Sequence, residues 1–250
     1  MNKLQNKIAV VTGGNSGIRY ATAKELIAEG AKVVITGKNR KAVDEAVKTL
    51  GANATGILAN QSNLSDLNNL VEEVKSQYGK VDTLFINAGI WKMSPLEEVS
   101  EELFNEIMDV NFKGVFFTLQ KFIPLLQNNS SVIIMSAISA TMAVPNMSAY
   151  SASQAAKNSL MRVASAELAP KGIRVNSVSP GPITTPVYSK TGLPQEVVDQ
   201  FAGIILPKIL LKKFGQPEDV AKLVCFLASE DASFITGSDY VIDGGMTKYH

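Results

Sequence analysis

The segment Tyr150-Ser151-Ala152-Ser153-Gln154 has the frame of a Tyr-x-x-x-Lys acid/base pair, but glutamine stands in the second place. A free phenol has a pKa near ~10. Proton exchange at neutral pH needs positive charge close by to bring that value down. A lysine one helical turn further on would supply it. Gln154 keeps hydrogen-bonding capacity but cannot favour a tyrosinate. General acid/base action contributes ~10²–10⁴-fold in rate, and that gain is what the replacement puts at risk. Lys157, three residues beyond Gln154, reads as a surface lysine or as an amine that reaches back one turn. Tyr20-Ala21-Thr22-Ala23-Lys24 also fits by letters, but it falls in the first helix and reads as a chance match.

The second chemical signal is Thr12-Gly13-Gly14-Asn15-Ser16-Gly17-Ile18-Arg19, which follows the first apolar run. Glycines at a strand-to-helix turn let backbone N–H groups approach a pyrophosphate at the helix N-terminus. A glycine at position 19 would complete the pattern. Arg19 instead adds bulk, and positive charge near the positive end of a helix dipole. It pairs with a phosphate, crowds the pyrophosphate, or stands in solvent. The next strand ends Ile35-Thr36-Gly37-Lys38-Asn39-Arg40. An acidic residue there would bond an adenosine ribose and repel a 2′-phosphate. None is present, so Lys38 and Arg40 predict NADP(H) over NAD(H). The alternative is two ordinary exposed cations at a helix start.

Composition narrows the field. The 250 residues are 46% hydrophobic and 19% charged, which suits one globular domain with a sizeable core. A net charge of +1 gives no global attraction to nucleic acid or an anionic membrane. The single cysteine, Cys225, lies in the apolar run Leu223-Val224-Cys225-Phe226-Leu227 and reads as a buried structural thiol. One cysteine excludes an internal disulfide and a Cys-rich metal site. The one histidine is His250, so neither a histidine triad nor a His-ligated zinc is expected, and no metal is predicted. The first residues lack an apolar signal core, and no apolar run approaches the ~18 residues of a membrane span. The expected location is cytoplasmic.

The elements that must position these residues alternate along the chain. Strands are predicted at 8–12, 32–36, 55–59, 83–87, 132–136, 174–179 and 240–242. Helices are predicted near 17–29, 40–50, 65–78, 100–127, 149–169 and 217–228. Regular alternation of this kind implies a parallel sheet with right-handed crossovers, in a single domain over 1–250. A stretch at 183–213 breaks the rhythm and carries Val197, Val198, Phe201, Ile204 and Ile205 at helical spacing. In a doubly wound sheet ligands bind beyond the carboxyl ends of the strands, which makes this stretch a candidate lid. The alternative is a surface subdomain or a subunit contact. Trp91, Met93, Met142, Val144, Pro145 and Met147 suggest an apolar pocket, or else packing at a subunit edge.

Taken in order, Thr12-Gly13…Gly17-Ile18, Asn87-Ala88-Gly89, Asn111, Tyr150, Pro180-Gly181 and Asp243-Gly244-Gly245 resemble the short-chain dehydrogenase/reductase family, over nearly the whole chain from 7 to 245. The resemblance implies an α/β fold: a Rossmann-type doubly wound parallel sheet of about seven strands. It also implies a homotetramer, with the helices near 100–127 and 149–169 at one interface and the C-terminal strand at another. It makes Tyr150 the acid/base and Asn111 a support for a proton-relay water. It places Ala137, within Met135-Ser136-Ala137-Ile138-Ser139, where a catalytic serine belongs, and Gln154 where the lysine belongs. The implied cofactor contacts are Gly13, Asn15, Ser16, Gly17, Ile18 and Arg19 in the turn, then Lys38, Asn87 and Gly89. They continue with Tyr150, Gln154, Pro180, Gly181, Ile183 and Thr185. Asn60 stands where an acidic residue usually lies beside the adenine.

Losing one polarising hydroxyl at position 137 costs ~10²–10³-fold. On a strand, Ser136 should face away from residue 137, while Ser139 shares its parity where the chain leaves the strand. The expected function is NADP(H)-linked carbonyl/alcohol interconversion on a small apolar molecule, strongly slowed. The alternative is a catalytically inactive nucleotide-binding or oligomeric partner protein on the same scaffold. Cofactor-free relatives of the halohydrin-dehalogenase kind use Ser-Tyr-Arg, and neither the Ser nor the Arg is in place.

Overall fold

The structure is a computed structural model that describes residues 2–185 and 203–248. Seven parallel strands form one sheet in the order β3-β2-β1-β4-β5-β6-β7. They are β1 Ile8–Val11, β2 Lys32–Gly37, β3 Ala54–Leu58, β4 Val81–Ile86, β5 Leu126–Met135, β6 Arg174–Pro180 and β7 Asp239–Ile242. The order reverses direction at β1/β4, which opens the crevice where such sheets bind ligands.

Period-two alternation splits the apolar runs between two cores. Val10, Leu84, Ile86 and Ile134 face one side. Ala9, Val11, Phe85, Ile133 and Met135 face the other. Helices cover both faces, so the stretches Ile8–Val11, Leu84–Ile86 and Val132–Met135 are unbroken apolar runs. The helices are α1 Gly17–Ala28, α2 Arg40–Leu50, α3 Leu64–Tyr78, α4 Glu101–Met108, α5 Gly114–Phe122, α6 Ser148–Leu168 and α7 Pro217–Ala228. Asn39 and Asn63 cap α2 and α3 by accepting first-turn amides, and Gly79 ends α3 in the left-handed conformation. Cys225 is buried on α7, as expected, and burial, reinforced by Glu29 and Glu25, pushes its thiol up to about 12. It therefore stays protonated and unreactive.

Two expected elements differ. The single helix near 100–127 is α4 and α5 joined by one π turn, Asp109–Lys113, and closed by a 3₁₀ turn, Ile123–Leu125, containing Pro124. A π turn inserts an extra residue and is common at functional sites. Strand β5 begins at Leu126, well before position 132. Its first residues pair Val81↔Leu126, then shift register before Thr83↔Ser131. The exposed Gln127, Asn128 and Asn129 carry no apolar signal, and Asn129 has a positive φ of 69°.

Of the candidate lid, Val197, Val198 and Phe201 lie outside the described residues. Its described ends are tied together: Thr184 N donates to Gly215 O at 2.8 Å, and Gly215 N donates to Pro182 O at 3.1 Å. Among the described residues no helix is long and apolar enough to cross a membrane, and no group of His, Cys, Asp or Glu is arranged to hold a metal.

Phe122 on α5 is fully buried in the core that seats α3, α5 and α6 on the sheet. Replacing Phe122 by Ala is expected to cost about 3–5 kcal/mol, measured by urea unfolding at unchanged m-value.

Candidate functional site

The site is assembled at the carboxyl ends of β1, β4, β5 and β6. There the ladder stops and backbone donors need other partners. Thr12 Oγ1, just past β1, accepts the amides of Asn87 and Ala88 at 2.9 and 3.0 Å. Thr36 Oγ1 accepts the amide of Gly13 at 3.0 Å. These bonds fix the glycine turn against the Asn87–Gly89 loop. Neither threonine was singled out from the sequence, although Thr12 opens the turn motif.

Gly13 and Gly17 both have positive φ, at 72° and 59°, which other residues adopt only with strain. Ser16 is the N-cap of α1 but makes no side-chain cap bond, so its hydroxyl leaves the first-turn amides of α1 uncapped. A Cβ built on Gly17 would lie 3.7 Å from Thr185, which places the start of the 183–213 stretch over the turn.

Arg19 does not extend into solvent. Its side chain folds back over the turn, so that a Cβ on Gly13 would meet its Nη1 at 2.7 Å and its Cδ at 3.1 Å. Burial lowers the guanidinium pKa, and among the described residues it has no hydrogen-bond or ion-pair partner. Of the three readings of Arg19, the geometry bears on crowding: the side chain is partly buried and packs against Gly13 of the turn.

Lys38 and Arg40 are exposed beside the end of β2, with Arg40 4.0 Å from Asp44. Asn60 is engaged locally: its Oδ1 accepts from Ser62 N at 3.3 Å and Ser62 Oγ at 3.0 Å. The neighbouring Gln61, not anticipated as a site residue, donates to Ala88 O and Val110 O at 3.0 and 3.2 Å and supports the Asn87–Gly89 loop from behind.

Asn111 lies in the π turn and is fully buried. Its Oδ1 accepts Ile90 N at 2.8 Å, and its Nδ2 donates to Ile90 O at 2.9 Å and to Ser153 Oγ at 3.3 Å. Both of its N–H groups are thus committed to protein, tying the loop after β4 to α6. Ser153 joins these elements to Tyr150, because its Oγ donates to Tyr150 O at 2.6 Å and also accepts Gln154 Nε2 at 3.2 Å. Ser153 was missed in the sequence, although its place three residues after Tyr150 put it on the same helical face.

Tyr150 lies in the first turn of α6 and lines a cavity of about 310 Å³ with mostly apolar walls. Ala137, Ile138 and Ser139 form one wall, Trp91, Val144 and Met147 another, and Ile18, Pro180, Gly181, Ile183 and Thr185 the mouth toward the glycine turn. Met135, Ser136, Pro182, Ile205 and Met246 complete it. Asp243 orders the Met246 turn by accepting Gly245 N at 2.9 Å and Thr247 N at 2.6 Å. Burial acts to raise the Asp243 pKa, but these bonds outweigh it and hold the carboxyl below its ordinary value.

Of the apolar residues expected here, Met93 is exposed, and Met142 and Pro145 stand outside the lining, although Val144 and Met147 of the same segment belong to it. Ser136 Oγ donates to Gln154 O at 3.3 Å, facing α6 rather than following Ala137, as strand parity predicted. Ser139 Oγ is buried at the cavity wall, with no hydrogen-bond partner among the described residues.

Gln154 is buried. Its Nε2 is used by Ser153, while its Oε1 has no partner among the described residues. Lys157 corrects the surface reading: it is buried, and its amine meets a carbonyl at the cavity wall. Only 4% of it is exposed, and its Nζ donates to Met135 O at 2.6 Å. The physical reason is the turn of α6 against β5: position 157 faces the end of that strand, where a backbone acceptor lies ready. The Tyr20–Lys24 pair sits on α1, with Tyr20 packed against the second core and outside the cavity. Replacing Arg19 by Gly should clear the turn and tighten NADPH about tenfold, read by fluorescence titration. Unchanged or weaker affinity rejects crowding.

Comparison with known proteins agrees with this architecture. A family model described as enoyl-(acyl carrier protein) reductase matches residues 13–247. The chain is 37% identical to a cyclohexanol dehydrogenase of Acinetobacter sp. strain SE19, over 99% of this chain and 97% of the relative. It superposes with a TM-score of 0.92 on the crystal structure of a short-chain dehydrogenase/reductase, glucose/ribitol dehydrogenase, from Brucella melitensis, at 32% identity over 98% of each chain. A short-chain dehydrogenase from Burkholderia cenocepacia J2315 in complex with NADP matches with a TM-score of 0.90, at 29% identity over 98% of this chain and 99% of that one. With the sheet order, the glycine turn and the Asn111–Tyr150 arrangement in place, the chain belongs to the short-chain dehydrogenase/reductase family.

Proposed function

We propose that this protein is a slow NADP(H)-linked oxidoreductase that interconverts a small apolar alcohol and its carbonyl. The observation that carries the reading is Tyr150 on the wall of a largely apolar cavity that opens onto the glycine turn. The relative named cyclohexanol dehydrogenase supports an alcohol or carbonyl substrate, and the related structure in complex with NADP supports the phosphorylated cofactor. The exposed Lys38 and Arg40, with no acidic residue at the end of β2, support the same preference.

The residues present fit a nicotinamide dinucleotide. The uncapped start of α1 and the positive-φ glycines suit its phosphates. Gln154 Oε1, buried and without a partner among the described residues, is an acceptor suited to a ribose hydroxyl. When bound, the cofactor supplies or accepts hydride. The chain's own part is to orient the substrate oxygen toward Tyr150, exclude water with the apolar walls, and move a proton at the phenol oxygen.

Two positions slow that proton transfer. Gln154 brings no charge to the segment, and Ala137, extended at φ −161°, offers only a methyl group to the cavity. The Ser139 hydroxyl supports residual polarisation of a substrate oxygen, being buried at the same wall without a partner among the described residues. The exposed Phe104, Phe116 and Val163 on α4, α5 and α6, and Phe234 and Val241 near β7, support a homotetramer as the working form.

A second reading, an inactive nucleotide-binding partner, draws on Arg19 over the turn and the neutral Gln154. An assay of NADPH oxidation against cyclic and linear ketones separates the two. Slow turnover is expected, and Ala137→Ser should raise it roughly tenfold or more, less than the full worth of an intact donor because the groups act as a unit. Cofactor binding with no turnover in either form favours the inactive partner.

A further inference from the structure

Lys157 is a buried amine that the proposed chemistry does not use. The β4–β5 ladder ends at the pair Ile86↔Ile134. The next two β4 amides, Asn87 and Ala88, turn away to Thr12 Oγ1. The Met135 carbonyl, one residue beyond the last pair, is met by Lys157 Nζ at 2.6 Å. Met135 is followed directly by Ser136, whose hydroxyl is tied to Gln154 O on the same helix, and then by Ala137 at the cavity wall. Two bonds from neighbouring turns of α6 therefore hold the segment that shapes one side of the cavity.

We propose that Lys157 is a positioning residue, a proton-sensitive tie from α6 to the end of β5 that sets where the 135–139 wall stands relative to Tyr150. The tie is strongest when the amine is charged, since a hydrogen bond from an ionised donor is roughly twice as strong as a neutral one. Burial lowers the Lys157 pKa to about 7. The elements packed on α6 carry Glu101, Glu102 and Glu106 on α4, Asp109 and Lys113 in the π turn, Lys171 beyond the helix and Arg174 on β6. Asp239 on β7 reaches α6 but is held by Asn158, Ser177 and Ser179. Tyr150, Arg162 and Glu167 lie on α6 itself. The lowering comes from burial alone, with no contribution from any of these groups. A tie that changes strength near neutral pH moves the cavity wall without unfolding the chain.

The sign of the linkage follows from the lowered value. Between about pH 7 and pH 10.5 the unfolded chain holds more protons at this site, so the folded form gains stability as pH rises through that window. Below it, the desolvated ammonium burdens the fold but grips Met135 most firmly.

Trp91, the single tryptophan, lines the same cavity and reports on its geometry. The experiment compares the natural protein with Lys157→Met, which keeps the stem and loses the donor, and Lys157→Gln, which keeps a neutral donor. Emission from Trp91 is followed from pH 6 to pH 8.5, with melting temperature from pH 6.5 to pH 9.5. The natural protein should show an emission change with a midpoint near pH 7, absent in both variants. Its melting temperature relative to Lys157→Met should rise by about 5 °C or more across the range. Lys157→Gln should keep Trp91 emission closer to the natural protein than Lys157→Met does. The proposal is overturned if the emission transition persists in Lys157→Met. It is equally overturned if the natural protein shows no transition, or if folded Lys157→Met has the natural emission. Neither measurement needs cofactor or turnover, so the outcome is independent of the proposed activity.

Discussion

Everything at this site depends on how the sheet terminates. A parallel sheet satisfies its backbone only while strands run side by side, and each strand end leaves donors and acceptors that must be met in the interior. Here Thr12 Oγ1 takes two amides from the loop after β4, and Thr36 Oγ1 takes the amide of Gly13. Asn111 takes both the N–H and the C=O of Ile90. Lys157 meets the carbonyl of Met135. Each is a single side chain bonding backbone that would otherwise be buried unpaired, at a cost of roughly 1–3 kcal/mol for each group. The cleft is the space left between these solutions, and its shape is a consequence of them.

The same solutions fix the electrostatics. Two cations are carried into low-dielectric surroundings, Arg19 over the glycine turn and Lys157 beneath the cavity wall. Burial lowers both pKa values, and among the described residues no acidic partner compensates either one. Between them the first turns of α6 carry a neutral Gln154. A charge placed at 154 would sit one helical turn from the Lys157 amine, where like charges disfavour each other. The glutamine and the lysine thus belong to one arrangement: the positive charge of this helix segment serves the strand end and not the cavity.

The fold was legible because its signals are collective. Seven apolar runs spaced by helical segments, with glycines after the first, leave little choice of topology, and the observed strand order follows. What the sequence hid was local. The π turn at Asp109–Lys113 has no periodicity of its own and merges with the helices on either side. The start of β5 is written in Gln127, Asn128 and Asn129, whose exposed side chains carry no strand pattern. Tyr150, Asn111 and the turn glycines could be singled out because they hold fixed places in a motif. Gln61 and Thr36 were not, because a side chain that bonds the backbone of a distant loop leaves no trace in spacing, and Ser153 was passed over although it lies one turn from Tyr150. Lys157 was misjudged for a related reason. A lysine near a helix middle is usually exposed, and only the end of a neighbouring strand makes its burial favourable.

Replacements at the cavity leave the scaffold untouched because packing and chemistry draw on different residues. The two cores consist of aliphatic and aromatic side chains on inward-facing strand and helix positions, and none of Arg19, Ala137 and Gln154 belongs to them. Ala137 sits in extended backbone that any residue adopts, so a serine or an alanine is equally compatible with the turn that follows. Gln154 is buried, yet its amide gains a bond to Ser153, which already holds Asn111 and the Tyr150 carbonyl. The glutamine is therefore built into the network that joins Asn111 to the backbone of Tyr150. A lysine put in its place has to rebuild that network as well as carry a charge, which ties the chemistry of this protein to the packing of α6 on β5 and not to one side chain.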